Sequence, residues 1–367
     1  MLLAHLTKGI IRARMSRGNV PRQGLRPGGS MGDRPTIVDV ARRAGVSKST
    51  VSRALRGEGG PVSEEARRAV QRAVAELGYE GNAVATSLRT DRTNMVMLAI
   101  PDITNPFWPE VARGLQDTVE QAGYSVVLAN SDWDARRERL FLALARRNRF
   151  DAIAINPTAV TNEELVLSGI PTVILGLRDD YPSFDMVGSD SYGGTLEALD
   201  YLFQLGHRRI GLIEGRHSGG RRQARLQGYL EFLRRQQLPV DPGLIVEGPF
   251  DRLGGERAMR ALLALPQPPT AVLAANDILA MGAMQAAHAA GLDIPADLSI
   301  VGMDDIYPAA TTRPPLTTMA KAKYDTGRRA ALLLLERIEG RAPAEARREV
   351  IPCQLIQRGS AAAPRKA

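Results

Sequence analysis

The chain has 367 residues, of which 44% are hydrophobic and 24% charged; this is ordinary globular material, long enough for two compact domains plus a small module, and it excludes a chain dominated by disorder. Its net charge of +8 is unevenly placed: residues 1–90 hold 16 Lys/Arg against 7 Asp/Glu while the remainder is close to neutral, so a polyanion is the expected partner of the amino end. Cys353 is the only cysteine, which excludes an internal disulfide framework and a Cys-cluster zinc site and suits a reducing cytoplasm.

Leu2, Leu3, Leu6, Ile10 and Ile11 make a faintly apolar start, but His5, Lys8 and Arg12 interrupt it. The run is too short and too broken for a membrane span or the apolar core of an export signal. Residues 12–34, rich in Arg, Gly and Pro, read with the preceding segment as a basic disordered tail (1–34), and Met31 is an alternative start of translation. Thr36-Ile37-Val38-Asp39 then has the pattern of a capping box, opening a helix to about Ala44. Gly45 supplies a permissive turn, Val46 plugs the angle and Ser47 caps a second helix from about Lys48 to Leu55. On it Val51, Ala54 and Leu55 share one face, and Lys48, Ser49, Ser52, Arg53 and Arg56 the other. A third amphipathic helix starts near Ser63, turns Ala66, Val70, Ala73, Val74 and Leu77 inward and ends at Gly78. Two readings fit this spacing: a helix-turn-helix module (35–80), or a small bundle with a solvated basic face.

Residues 81–92 have the composition of a tether. From Asn94 onward, apolar β-rich runs alternate with amphipathic helices: Met95–Ile100, Pro106–Ala122, Ser125–Leu128, Arg136–Arg146, Asp151–Ile155 and Thr172–Leu175 form one series. Arg209–Ile213, Arg222–Leu233, Ala271–Ala274, Ile278–Ala290 and Leu298–Gly302 form another. The fold class is therefore α/β: a three-helix headpiece followed by two doubly wound parallel-sheet subdomains, with a ligand cleft expected at the carboxyl ends of their strands. The core is expected over 93–360, with 93–190 and 320–350 in one subdomain, 191–319 and 351–360 in the other, and 361–367 as a tail. No catalytic residue, metal ligand or cofactor is indicated: glycine-rich phosphate loops, the nucleophile elbow and zinc-protease motifs are missing from the sequence, and His207, in Leu-Gly-His-Arg-Arg-Ile, reads as orienting a helix-to-strand turn. An enzyme and a plain solute-binding protein remain rival readings of such a core.

The ordered strings Thr36-Ile37-Val38-Asp39-Val40-Ala41, Ala44-Gly45-Val46-Ser47 and Thr50-Val51-Ser52-Arg53-Ala54-Leu55 closely resemble the headpiece of the LacI family of bacterial regulators. Asn105-Pro106-Phe107, Gly188-Ser189-Asp190, Ala275-Asn276-Asp277, Val301-Gly302-Met303-Asp304-Asp305 and Pro314-Pro315-Leu316-Thr317-Thr318 extend the resemblance over about residues 35–360. It implies a cytoplasmic, sequence-specific regulator, a repressor, that binds a near-palindromic operator as a homodimer or a pair of dimers. Its core would be like that of periplasmic sugar-binding proteins and would take a sugar or related metabolite as effector. By the same resemblance Lys48, Ser49 and Arg53 would read base edges, while Thr36, Ser47, Thr50, Ser52 and Asn82 would hold phosphates. Residues 81–92 would fold on DNA into a hinge helix whose Leu88, with Ala85, wedges into the minor groove. Gly81 stands where the family usually has proline, so a more flexible free hinge is expected. The effector pocket would be lined by Phe107, Trp108, Asn156, Gly219, Arg221, Arg225, Phe250, Asn276 and Asp304. Two departures mark this chain: Gly176 replaces an acidic residue of several sugar-binding members, and Lys321 replaces a common Gln. Lys321 reads either as a surface lysine or as an inward cation favouring an acidic ligand.

Overall fold

Continuous apolar strands such as Ala152–Ile155, Thr172–Leu175 and Ala271–Ala274 have every residue buried, which in parallel sheets means helices cover both faces. A computed structural model describes residues 35–56, 62–80, 92–215 and 224–365, and these fall into two units, Met1–Asn82 and Ala83–Ala367. The expected tail, the expected hinge residues 81–91 and residues 216–223 lie outside the described residues.

The first unit holds three helices, α1 (Ile37–Ala44), α2 (Lys48–Arg56) and α3 (Glu64–Leu77). Thr36 and Asp39 form the reciprocal capping box, and Gly45, at φ 67°, takes the left-handed conformation that ends α1. Val40, Ala41, Val51, Ala54, Val70 and Ala73 make its core. Leu55 corrects the expected inward face: it is 43% exposed, because α1 and α3 cover the side of α2 that Val51 and Ala54 face, and Leu55, one position on from Ala54, is turned off that side. The carbonyl of Ala54 instead accepts from Arg67 Nη1 of α3 at 3.4 Å.

The second unit runs β1 (Met95–Ile100), α4 (Phe107–Gln121), β2 (Ser125–Asn130), α5 (Ala135–Arg147), β3 (Ala152–Ile155), α6 (Asn162–Ser168), β4 (Thr172–Leu175) and β5 (Asp185–Ser189). It continues through α7 (Ser191–Gln204), β6 (Ile210–Gly215), α8 (Ala224–Arg235), β7 (Ile245–Gly248), α9 (Arg252–Leu263), β8 (Ala271–Ala274), α10 (Asp277–Ala289) and β9 (Ser299–Asp304). Last come β10 (Thr317–Ala320), α11 (Lys323–Ile338), β11 (Arg348–Ile351) and β12 (Gln354–Ile356). Two six-stranded sheets result, ordered β11-β5-β4-β3-β1-β2 and β12-β10-β9-β8-β6-β7. The orders are the same winding used twice, parallel throughout except for β12, which runs antiparallel to β10.

The chain passes between the sheets at 189–191, 320–323 and 351–354, always on the β5/β11 and β10/β12 side. Close helix packing fixes each subdomain. A β-carbon on Gly327 of α11 would lie 1.9 Å from the Val111 carbonyl oxygen of α4, and one on Gly282 of α10 would lie 2.0 Å from the Arg252 carbonyl oxygen of α9. Under the first sheet, buried Asp185 takes both Arg337 (2.8 Å) and Arg347 (2.8 Å). These two guanidinium groups offset the cost of burial and hold its carboxyl down at about 2.

Candidate functional site

In the headpiece, the Ser47 hydroxyl accepts from the Thr50 N–H at 3.1 Å and so caps α2; it also lies 2.7 Å from Ser49 Oγ and 2.8 Å from Thr50 Oγ1. Burying Val51 and Ala54 turns Lys48, Ser49 and Arg53 outward, all three exposed on one side of α2. Arg53 Nε donates to the Ser49 carbonyl at 3.3 Å, laying the guanidinium along that surface. Thr36 and Ser47 are exposed at helix starts, where N–H groups favour anions, and Thr50 and Ser52 are half-buried beside them. Asn82, Ala85 and Leu88 lie outside the described residues.

In the second unit, the carboxyl ends of both sheets face one cavity of about 180 Å³. Phe107, Trp108, Asn156, Arg225, Phe250, Asn276 and Asp304 all line it, so seven of the nine expected positions are together; Gly219 and Arg221 lie outside the described residues. Phe107 and Trp108 open α4 and meet edge to face at 5.0 Å. Asn156 follows β3 and donates to the Leu175 carbonyl at 2.5 Å. Asn276 caps α10 by accepting from the Leu279 N–H at 2.8 Å. Arg225 Nε stands 3.3 Å from Glu214 Oε1, and its guanidinium carbon 5.9 Å from the Phe250 ring centre.

Asp304 ends β9 with φ 124°, a backbone angle non-glycine residues avoid, and strain of this kind gathers at functional sites. Lys323 braces the turn: its ammonium donates to the carbonyls of Asp304 (3.0 Å) and Asp305 (2.7 Å). Asp277, fully buried behind this turn, accepts from Thr318 Oγ1 (2.5 Å) and the Ile306 N–H (2.8 Å). Burial, then the charge on Asp304, pushes its carboxyl well above the usual carboxylate range.

Lys321 corrects the surface reading. Its side chain is only 10% exposed, lines the cavity and pairs with Asp304 Oδ1 at 2.9 Å. An inward cation already matched by a carboxylate does not by itself call for an acidic ligand. Gly176 also lines the cavity, at φ 116°, so the acidic side chain seen elsewhere would be strained on this backbone. Asp102, Asn105, Trp133, Ser189 and Ser191 line it too and were missed as pocket residues. All five stand within a few residues of the carboxyl end of β1, β2 or β5, and that position was the signal available for them. Expected to orient a turn, His207 lies buried with Nδ1 2.9 Å from Thr270 Oγ1 and Nε2 2.9 Å from the Ala362 carbonyl, and burial lowers its pKa.

Comparison with known proteins gives the same two parts. Residues 36–82 match the model of bacterial regulatory proteins, lacI family, and residues 199–361 that of the periplasmic binding protein-like domain. The HTH-type transcriptional repressor CytR of Escherichia coli (strain K12) is 35% identical over 329 residues, 89% of this chain and 96% of that one. The ribose operon repressor of the same organism is 35% identical over 330 residues, covering 89% and 99%. Among solved structures, the lac repressor dimer bound to operator and the anti-inducer ONPF matches with a TM-score of 0.80 at 28% identity, over 90% of this chain and 100% of that one. With its helix-turn-helix headpiece and its two-sheet periplasmic-binding-protein-like core, the chain belongs to the LacI family of DNA-binding bacterial transcription regulators.

Proposed function

We propose that the protein represses transcription from a near-palindromic operator, that it binds there as a homodimer, and that a sugar or related polyhydroxyl metabolite in the cleft controls it. The observation that carries this reading is a capped α2 with Lys48, Ser49 and Arg53 exposed on one face, in a chain whose other unit gathers aromatic rings and polar groups around one cavity. Aromatic faces with convergent amide and charged groups suit a ring bearing hydroxyls. Dimerisation is supported by β2, an edge strand with Val127 and Leu128 about 40% exposed, beside an apolar groove lined by Met97, Phe141 and Phe150. Two headpieces then read half-sites about one helical turn apart.

The relatives are repressors and regulators, which favours a binding protein over an enzyme. The protein would act in the cytoplasm, where a bacterial operator lies; no helix among the described residues is long and apolar enough to cross a membrane. Fluorescence anisotropy on the duplex upstream of its own gene, at two salt concentrations and with pentoses and hexoses added, tests the reading. Specific binding should fall steeply with salt and shift with one of the sugars, and Asp304→Ala should bind DNA but not respond. Binding no tighter than to unrelated DNA would overturn it.

A further inference from the structure

The only two tryptophans of the chain, Trp108 and Trp133, line the same cavity. Trp133 stacks on Phe250 with ring centres 5.1 Å apart and planes 7° from parallel. It follows β2 and Phe250 follows β7, the outermost strands of the two sheets on the side away from the three crossovers. Rotation of one subdomain about those crossovers displaces this edge most, so the stack must part whenever the cleft opens. Both rings are half-buried and flanked by exposed Asp132, Asp134 and Asp251, which places them at the rim.

Each ring is held in place. Asp132 and Trp133 have φ of 50° and 61°, a pair of non-glycine residues in the left-handed region. That turn is braced by Asn130 Nδ2 donating to Asp132 Oδ1 at 2.6 Å, by the Arg137–Asp132 ion pair, and by Asp134 accepting from the Arg136 N–H at 2.7 Å. Phe250 lies flat on Gly215, where a β-carbon would come within 2.0 Å of the ring. Beneath this roof the cavity of about 180 Å³ is smaller than the roughly 300–1,000 Å³ of sites for drug-sized ligands.

We propose that Trp133 is a specificity-determining residue: stacked on Phe250, it clasps the two subdomains at the edge opposite the crossovers and limits the effector to a single ring of monosaccharide size. A second sugar ring would have to take the space of the stack. This rests on the reading of the cleft as an effector site, and the test separates the two.

The experiment uses the full-length protein as wild type, Trp133→Ala and Trp133→Phe. Amide exchange by mass spectrometry without ligand follows the cleft-floor segments 154–158, 274–278 and 303–306, away from the rings themselves. Calorimetry measures D-ribose, D-glucose and the disaccharide cellobiose. Trp133→Ala should speed floor exchange roughly two- to tenfold, weaken monosaccharide binding by a similar factor and admit cellobiose, with Trp133→Phe close to wild type. Unchanged exchange in Trp133→Ala overturns the clasp whatever binds. Cellobiose held by wild type as tightly as a monosaccharide overturns the size limit. Faster exchange in Trp133→Ala with no sugar bound by any variant overturns the polyhydroxyl reading of the cleft and the size limit with it, and supports the clasp.

Discussion

Arg53 is the residue through which base recognition is most directly tested, because a planar guanidinium can pair both acceptor atoms of a guanine edge. Arg53→Ala should weaken binding to the operator by about 1–3 kcal/mol and to random DNA by less, measured by anisotropy on both duplexes. Equal losses would make Arg53 a phosphate contact. Asp185 makes a residue-scale prediction of another kind. Its folded carboxyl titrates at about 2 against 3.8 for the ordinary group, so its contribution is present above about pH 4 and is lost as the pH falls through about 2. The shift corresponds to about 2 kcal/mol. Asp185→Asn, which leaves Arg337 and Arg347 facing each other without their shared anion, should lower unfolding stability at pH 7 by about 3 kcal/mol and flatten its fall below pH 4. Denaturant titrations at several pH values check both effects; an unchanged midpoint at pH 7 would show that the triad contributes nothing.

At the scale of elements, close packing of α4 on α11 has a sharp consequence. Gly327→Ala would drive a methyl group into the Val111 carbonyl, so thermal unfolding should show a loss of about 1–3 kcal/mol, or the helices must separate. Wild-type stability in that variant would mean that α4 and α11 do not approach this closely. Elements set by local chemistry were legible in the sequence: the Thr36–Asp39 box, the Gly45 turn and the buried strands β3, β4 and β8 each follow from a few adjacent residues. What escaped depends on distant neighbours. The exposure of Leu55 is decided by which side of α2 is covered by α1 and α3, and Lys321 turns inward because Asp304, 17 positions earlier, lies beside it on the next strand. Trp133 lies in a loop without periodicity, and only the folding of two edge strands toward each other brings it to Phe250. The seven assembled pocket positions became legible through the family resemblance, since neither spacing nor composition marks them.

At the scale of the whole molecule, the proposed control requires that a signal pass from the effector-binding unit to the headpiece. A ligand in the cleft alters DNA affinity only if it favours one arrangement of the subdomains and that arrangement alters the spacing of the two hinges in a dimer. Light scattering should accordingly give twice the chain mass of 39.7 kDa, or four times that mass if dimers pair. A monomer at operator-binding concentrations would contradict the two-half-site reading. The central claim, sequence-specific recognition by a paired headpiece, is tested most directly by selecting bound duplexes from a random library with the full-length protein and sequencing them. One near-palindromic site, its halves about one helical turn apart, should be enriched, and the enrichment should be lost with Arg53→Ala; a bound pool no different from the starting library, or a single asymmetric half-site, would contradict that claim.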